Sequence, residues 1–573
     1  MSRSGRAGRV ARSFRARLDG RDGALIALLG LTAASLLARL VLLGARVQHF
    51  DEGRVGWWVL HFMRTGQFEY RYIIHGPFIQ HVNTWLFSVI GATDFSSRLV
   101  VAIVGGLLPL VALLFREHLR DAELVGVGAF LAFNPVLLYY SRFFRSTVLV
   151  AAFMTAAFGF LVRFADTRRP RYAHLAVAFT ALGFTAKENA VVYLLCWLGA
   201  GALVVALSLY ARPDGRTGAE RVATALADLD IPDRRTLARA AGHVVLAVAL
   251  FLVVIVFFYA PRGGPNGLYQ ALLDPARLPA TLGSMVDSIE AGYRYWFGHS
   301  TDPGCHKDNL IAAYACFLGR SLEVLAGYAA PLLGLALVGA LVEHFATKRP
   351  RWLVLVATYW GFVSVLGYPL GTDVFGAWIM VNALVPLAVP AGVGLALLYR
   401  WGVDAYRDDD RVSTGIVAVM LLLVVAQFAA VGLVSSYLEP TAPENGLVQY
   451  AQPEQAWRGT LADMDRLART NDGTDVLVFG DHFVDGATNA TRTPACVKWF
   501  NALPLPWYFE KTDVSVSCST STDELGSGGD RPPVVIARAD DREVLADALG
   551  PGYEVRTHYL RTTGVETVVF VRG

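Results

Sequence analysis

Charge is scarce in this chain. Asp, Glu, Lys and Arg make up 17% of 573 residues, and only five of the 51 basic residues are lysines (Lys187, Lys307, Lys348, Lys498 and Lys511). With 54% hydrophobic residues and a mean hydropathy of +0.42, that shortage excludes a soluble globular protein and points to a chain that crosses a membrane many times. Several patterns are missing as well. No Gly-rich phosphate loop occurs and no dinucleotide fingerprint follows a strand, so ATP-driven transport lacks its engine. No fixed period recurs, which excludes a solenoid, and the half-to-half repeat expected of a secondary transporter is not visible.

What is present is apolar length. Eleven stretches suit a hydrocarbon core of about 30 Å: 24–45, 97–115, 124–140, 147–163, 172–186, 190–210, 241–259, 322–342, 352–370, 376–399 and 413–437. With the N-terminus cytoplasmic, the inner segments 1–23, 116–120, 163–171, 212–239, 348–351 and 400–411 collect 25 basic residues, about twice the share of the outer loops, as orientation bias demands. Residues 1–23 read as a cytoplasmic basic arm, because the apolar stretch behind them is too long for a signal peptide. Residues 24–438 then form a transmembrane domain with two large outer loops, 46–96 and 260–321, and the odd number of spans puts the C-terminus outside the cell membrane. Spans 124–140 and 172–186 are short, and Asn134-Pro135 interrupts the first. Short or broken helices persist where protein surrounds them, which implies a cavity near the outer face.

Beyond the polar linker Glu439-Pro-Thr-Ala-Pro-Glu-Asn-Gly446, the character changes. Residues 440–573 carry 19 acidic against 12 basic side chains. Buried strands are expected at 475–480, 533–537 and 566–572, with helical spacing around 453–470 and 541–549. Residues 439–573 thus read as a small extracytoplasmic α/β domain. An oxidising compartment permits a disulfide between Cys496 and Cys518, and Cys305 and Cys316 also lie near the outer surface. Cys196, inside a span, reads as a packing residue. Asn489-Ala490-Thr491 is a glycosylation sequon.

The densest chemistry follows the first span, in HFDEGRVGWWVLHFMRTGQFEYRYIIHGPFIQHVNTWLF, residues 49–87. Asp51 and Glu52 fall at the outer boundary, and Arg54, Trp57, Trp58, His61 and Phe62 describe an amphipathic helix lying in the interface. A carboxylate there can take a proton from an acceptor hydroxyl while cations hold a phosphate leaving group. The cations are His75 and His81 around Gly76-Pro77, Arg142 and Arg145 in YYSRFFRST, and Lys187 in FTAKENA. One such residue near a helix end usually only snorkels. Cations in several outer loops, where orientation bias should deplete them, are better explained by phosphate recognition. His299, Asp302, His306 and Asp308 in GHSTDPGCHKD are metal-binding residue types, but their spacing fits no defined zinc pattern. A loop closing over the donor site is the reading preferred, with His81 beside it.

The order of first span, Asp-Glu-x-Arg, aromatic helix, His-Gly-Pro and Ser-Arg-x-x-Arg resembles the GT-C membrane glycosyltransferases of the protein mannosyltransferase and lipid A aminoarabinose transferase type. With Leu505-Pro-Trp-Tyr508, the chain most resembles the archaeal family described as flippase-activity-associated in N-glycosylation. The resemblance implies a GT-C-like polytopic α-helical membrane protein that moves a sugar from a polyprenyl (dolichyl) phosphate to a lipid-linked glycan or a protein. It makes Asp51 the base with Glu52 in support, has Arg54 orient the carboxylates, and gives Arg54, His75, Arg142, Arg145 and Lys187 to the donor phosphate. No soluble cofactor is required, a divalent cation fits the scheme, and no nucleic-acid partner is expected. The rival reading is a non-catalytic factor that helps lipid-linked sugars cross or be handed on. Relatives usually have Pro-Pro at Gly76-Pro77, and several have an Asp where Ser146-Thr147 stands. The Trp-Trp-Asp of oligosaccharyltransferases is absent, since Val59 follows Trp57-Trp58.

Overall fold

A computed structural model describes residues 23–72, 75–210, 233–298, 309–371, 374–484, 496–525, 531–561 and 564–573, with 217, 220, 224 and 305 singly. Residues 1–22 of the basic arm, His299, Asp302, His306, Asp308 and the sequon lie outside the described residues.

Helices occupy each of the eleven apolar stretches: α1 (Gly23–Leu40), α4 (Asp94–Leu107), α5 (Asp121–Phe133) with α6 (Pro135–Tyr140), α7 (Thr147–Thr167), α8 (Pro170–Ala186), α9 (Ala190–Tyr210), α10 (Arg234–Tyr259), α13 (Leu310–Leu341), α14 (Trp352–Gly371), α15 (Val381–Arg407) and α16 (Arg411–Leu433). Between them lie α2 (Phe50–Thr65), α3 (Pro77–Ile90), α11 (Leu268–Leu273) and α12 (Leu278–Gly298). Among the described residues nine helices are long and apolar enough to cross a membrane. The chain is a multi-pass membrane protein. The two stretches outside the nine are the short ones expected: α8 has 17 residues, and the α5–α6 pair breaks at Pro135, which lacks the N–H a continuous helix needs. There the Asn134 Oδ1 accepts from the amides of Val136 and Leu137 at 3.0 and 3.3 Å, restoring partners to the second piece.

The C-terminal part is a five-stranded mixed sheet: β1 (Val476–Phe479), β2 (Val516–Ser519), β3 (Val534–Arg538), β4 (Tyr553–Tyr559) and β5 (Glu566–Arg572), in the order β2-β1-β3-β5-β4. β1 runs parallel to both neighbours, with Val476 opposite Val516 and Val534. β5 returns antiparallel, with Val535 opposite Phe570. The three apolar strands match expectation; β2 and β4 are edge strands of mixed polarity, so they lack the continuous apolar run that marks a buried strand. Helices α17 (Trp457–Ala468), α18 (Trp499–Ala502), α19 (Leu505–Lys511) and α20 (Arg542–Leu549) complete the domain. Cys305–Cys316 and Cys496–Cys518 are disulfide-bonded, while Cys196 is a free, half-buried thiol.

The connector 439–453 is laid across the bundle. The hydroxyls of Tyr139 and Tyr140 donate to the carbonyls of Pro440 and Leu447 at 2.8 and 2.6 Å, and Gly446 N–H donates to the Tyr328 hydroxyl at 2.7 Å.

The expectation that α2 lies in the membrane interface is corrected. Its residues 52–59 are all buried, so no side of this half faces lipid. Gly53 and Gly56, one turn apart, present a bare backbone strip against which Pro504 and the Trp507 indole rest; any Cβ there would collide with them. The aromatic run is therefore enclosed between the bundle and the sheet domain, with Trp57 edge-on to Trp499 at 5.0 Å. From the other side, Asp94 at the head of α4 accepts from Trp507 Nε1 at 2.9 Å and from the Tyr508 hydroxyl at 3.2 Å.

Candidate functional site

The helix that carries the paired carboxylates begins with a reciprocal cap: His49 Nδ1 accepts from the Asp51 amide at 3.0 Å, and Glu52 accepts from the His49 amide at 2.8 Å. Neighbours on a helix point about 100° apart, and the two acids meet different surroundings. Glu52 is buried and receives six hydrogen bonds: two each from Arg46 and Arg98, one from the His49 amide and one from the Phe144 amide, all between 2.7 and 3.0 Å. Burial alone would raise its pKa, but the two guanidiniums outweigh it and hold the carboxyl low. No lone pair is left for a reacting atom. Glu52 is a clamp joining α2 to α4, to the chain around Arg46 and to the turn at Phe144.

Asp51 keeps access. Its side chain is 29% exposed, and one oxygen accepts from Arg145 Nη1 at 2.8 Å. Burial pushes its pKa up, yet the charges of Arg145, His49 and Arg54 together hold it well below the usual carboxylate range. Arg145 also donates to Gln449 Oε1 at 2.8 Å and lies 3.8 Å over the Trp378 ring. One guanidinium thus ties α2, the turn before α7, the segment before α15 and the connector to a single point. Arg54 comes from the same side of α2, but its guanidinium sits 5.6 Å over the Phe500 ring; Arg145 orients Asp51, and Arg46 and Arg98 orient Glu52.

His75 completes the cluster. It is buried, its Nδ1 lies 3.1 Å from Ser146 Oγ, and its Nε2 has no partner among the described residues. Burial first and the Arg145 charge second push its pKa well below the ordinary value, so the ring is neutral and its Nε2 is left to meet a ligand. The Gly76 amide donates to the Ala186 carbonyl at 3.0 Å, and a Cβ at residue 76 would strike the Thr185 and Ala186 carbonyls. Glycine here lets the chain close onto the end of α8, where half-buried Lys187 follows. Glu188 beside it is buried with Oε1 unpartnered among the described residues, and burial raises its pKa to about 7.

Two expected phosphate or substrate residues are placed elsewhere. Arg142 donates to the carbonyls of Ala38, Arg39, Val41 and Leu42; it caps the end of α1, whose last carbonyls have no helical partner. His81 lies inside α3, not in a loop: its Nε2 is 3.0 Å from the Phe258 carbonyl and its ring 4.3 Å from that of Phe68. Among the described residues no cluster of three metal-binding side chains occurs. Arg46, Arg98, Gln449 and Trp378 were not singled out from sequence. Arg98 reads as the edge of a span and Gln449 as linker, and nothing local marks either as reaching the carboxylates.

Apolar helices carrying a small α/β domain, docked on a helix that bears a carboxylate pair just after the first span, define the class of GT-C fold membrane proteins. Two family matches make this more particular. Residues 457–572 match the family described as Agl23 flippase-associated protein C-terminal domain, and residues 74–212 match dolichyl-phosphate-mannose-protein mannosyltransferase. The second segment contains His75, Arg145 and Lys187; Asp51 precedes it. The matches take in residues 75–81 and 505–508 of the stretches that carry the resemblance, and residues 49–73 lie outside them. Among solved structures, the chain is similar to ArnT from Cupriavidus metallidurans bound to undecaprenyl phosphate, with 15% identity, a TM-score of 0.54 and coverage of 95% of this chain and 97% of that one. It is also similar to the apo oligosaccharyltransferase of Archaeoglobus fulgidus, with 14% identity, a TM-score of 0.50 and coverage of 94% and 73%. At such identity these likenesses show the fold alone. No curated protein sequence matches the chain significantly.

Proposed function

We propose that this protein is a GT-C glycosyltransferase that takes a sugar from a polyprenyl (dolichyl) phosphate and passes it to a hydroxyl of a lipid-linked glycan or protein. The observation that carries the reading is the accessible Asp51 carboxylate held by Arg145 beside neutral His75 and Lys187. The attacking hydroxyl forms a bond to the anomeric carbon, the bond from that carbon to the phosphate oxygen breaks, and Asp51 takes the hydroxyl proton. Arg145, Lys187 and the His75 ring, donating through Nε2, receive the charge that collects on the phosphate. In its ion pair Asp51 is a weak base. As Arg145 turns to the leaving phosphate, the carboxylate loses its main stabilising charge and gains basicity as the proton arrives. The scheme runs without a soluble cofactor. The site belongs on the outer face, with the N-terminus cytoplasmic; two disulfides on the domain side of the bundle support that orientation.

The match to a flippase-associated domain favours a second reading, in which the same cations grip a lipid phosphate for hand-over without chemistry. Asp51→Asn separates the two. In a deletion background, with dolichyl-phosphate sugars supplied in vesicles, transfer is expected to fall at least a hundredfold, within the range of about 10²–10⁴ for a lost general base. Unchanged transfer and unchanged surface glycans, read by mass spectrometry, would remove the enzymatic reading.

A further inference from the structure

Beside Asp51, on the side away from Glu52, two aromatic rings are left open where the bundle meets the sheet domain. Phe500 from α18 is 52% exposed and Tyr450 from the connector 56% exposed. Phe500 stacks on Phe50, the residue preceding Asp51, with ring centroids 6.3 Å apart and planes 16° from parallel. Each ring of this pair has a guanidinium next to it: Arg54 lies 5.6 Å from the Phe500 centroid and Arg561 5.2 Å from that of Phe50. Arg561 also donates to the Phe500 carbonyl, which fixes the approach of α18. Tyr450 stands within electrostatic range of Asp51, Arg145, Arg54 and Arg561.

From this arrangement we infer that Phe50, Phe500 and Tyr450, with Arg54 and Arg561, form a carbohydrate-binding platform that presents the acceptor to Asp51, so that the acceptor hydroxyl belongs to a glycan. The inference rests on the transferase reading and narrows its acceptor. A pyranose ring has one face of C–H groups and a rim of hydroxyls. The C–H face, slightly positive, suits the negative face of an aromatic ring, and the rim needs planar donors at its edge, which guanidiniums supply. A polyprenyl tail would need a continuous apolar channel, whereas every open ring here adjoins a charged group. A peptide would need backbone donors and acceptors, and these five side chains offer no such ladder. An aromatic belt residue would turn to lipid; Phe500 turns to α2 and is carried by the sheet domain.

The platform is tested by saturation-transfer NMR on the full chain in lipid nanodiscs, without any donor, using mannotriose, maltotriose and cellotriose as probes. Wild type is expected to bind at least one of them, Phe500→Ala and Tyr450→Ala to weaken it at least tenfold, and Phe500→Trp to keep it, all with unfolding midpoints near wild type. In the transfer assay the alanine variants should raise the acceptor KM about as much, with donor KM and kcat nearly unchanged. Absence of binding to all three probes by wild type, or an unchanged acceptor KM in Phe500→Ala, would overturn the platform and leave the transferase reading standing. Binding that is lost in Phe500→Ala, in a protein that transfers no sugar from any donor, would keep the platform and remove the transferase.

Discussion

Glu188 illustrates what a single buried group adds at the residue scale. Its carboxyl, with one oxygen unpartnered among the described residues, is pushed from an ordinary 4.5 up to about 7 by burial, so the folded protein holds this proton more tightly than the unfolded chain. Stability from that proton is fully present below pH 4.5 and declines as pH rises toward 7. At 1.36 kcal/mol per unit the loss is about 3 kcal/mol. Glu188→Gln should remove this decline: unfolding midpoints across that window, in nanodiscs, should fall less with pH in the variant than in wild type. Sequence pointed to Asp51, His75, Arg145 and Lys187 because each falls near a helix end on the outer side, where charge is scarce, and because the resemblance carries over to each. It could not separate Arg145 from Arg142, three residues away, since the difference lies in which neighbours each reaches: a carboxylate for one, the carbonyls of α1 for the other. Nor could it assign Glu52, whose partners Arg46 and Arg98 come from two other segments.

At the scale of elements, the docking of α2 depends on two missing side chains. Gly56→Ala places a Cβ against the Trp507 ring in a packed contact, and overpacking of this kind costs about 1–3 kcal/mol. The expected outcome is partial release of α19, seen as faster proteolysis of the sheet domain at unchanged helix content, together with reduced transfer. The aromatic run from Trp57 to Phe62 was legible as a helix with an apolar side, but composition cannot tell lipid from protein as the partner of that side. The glycines three apart were the available signal, because a bare backbone strip serves close packing and not lipid contact. The helices of the bundle were legible for the opposite reason. Each long apolar stretch has few other ways to satisfy its backbone in a membrane, whereas the edge strands β2 and β4 depend on tertiary pairing that sequence does not show.

At the scale of the whole molecule, membrane and sheet parts share one site, since the connector brings Gln449 to Arg145 and α18 brings Phe500 to Arg54. The Cys496–Cys518 disulfide, spanning a sequence separation of 22, closes the segment that carries Trp499, Phe500 and Trp507. By loop entropy it contributes about 3 kcal/mol. Replacing both cysteines by serine should raise hydrogen exchange over residues 496–511 and lower transfer, while the exchange of α7 and α15 stays as in wild type. The clamp on Glu52 has one more consequence, for how the chain can vary in length. Because α4, the chain around Arg46 and the turn at Phe144 all grip residue 52, an insertion or deletion of one residue between His49 and Glu52 would rotate one acid into the other's place. An insertion ahead of the pair would carry Asp51 into the clamp and Glu52 on to the position that faces Pro504, whereas a deletion would carry Glu52 into the accessible place and leave the clamp without a carboxylate. Length in this short interval is therefore as constrained as the identity of the acids, and chains that share the site are expected to differ here by substitution and not by insertion or deletion.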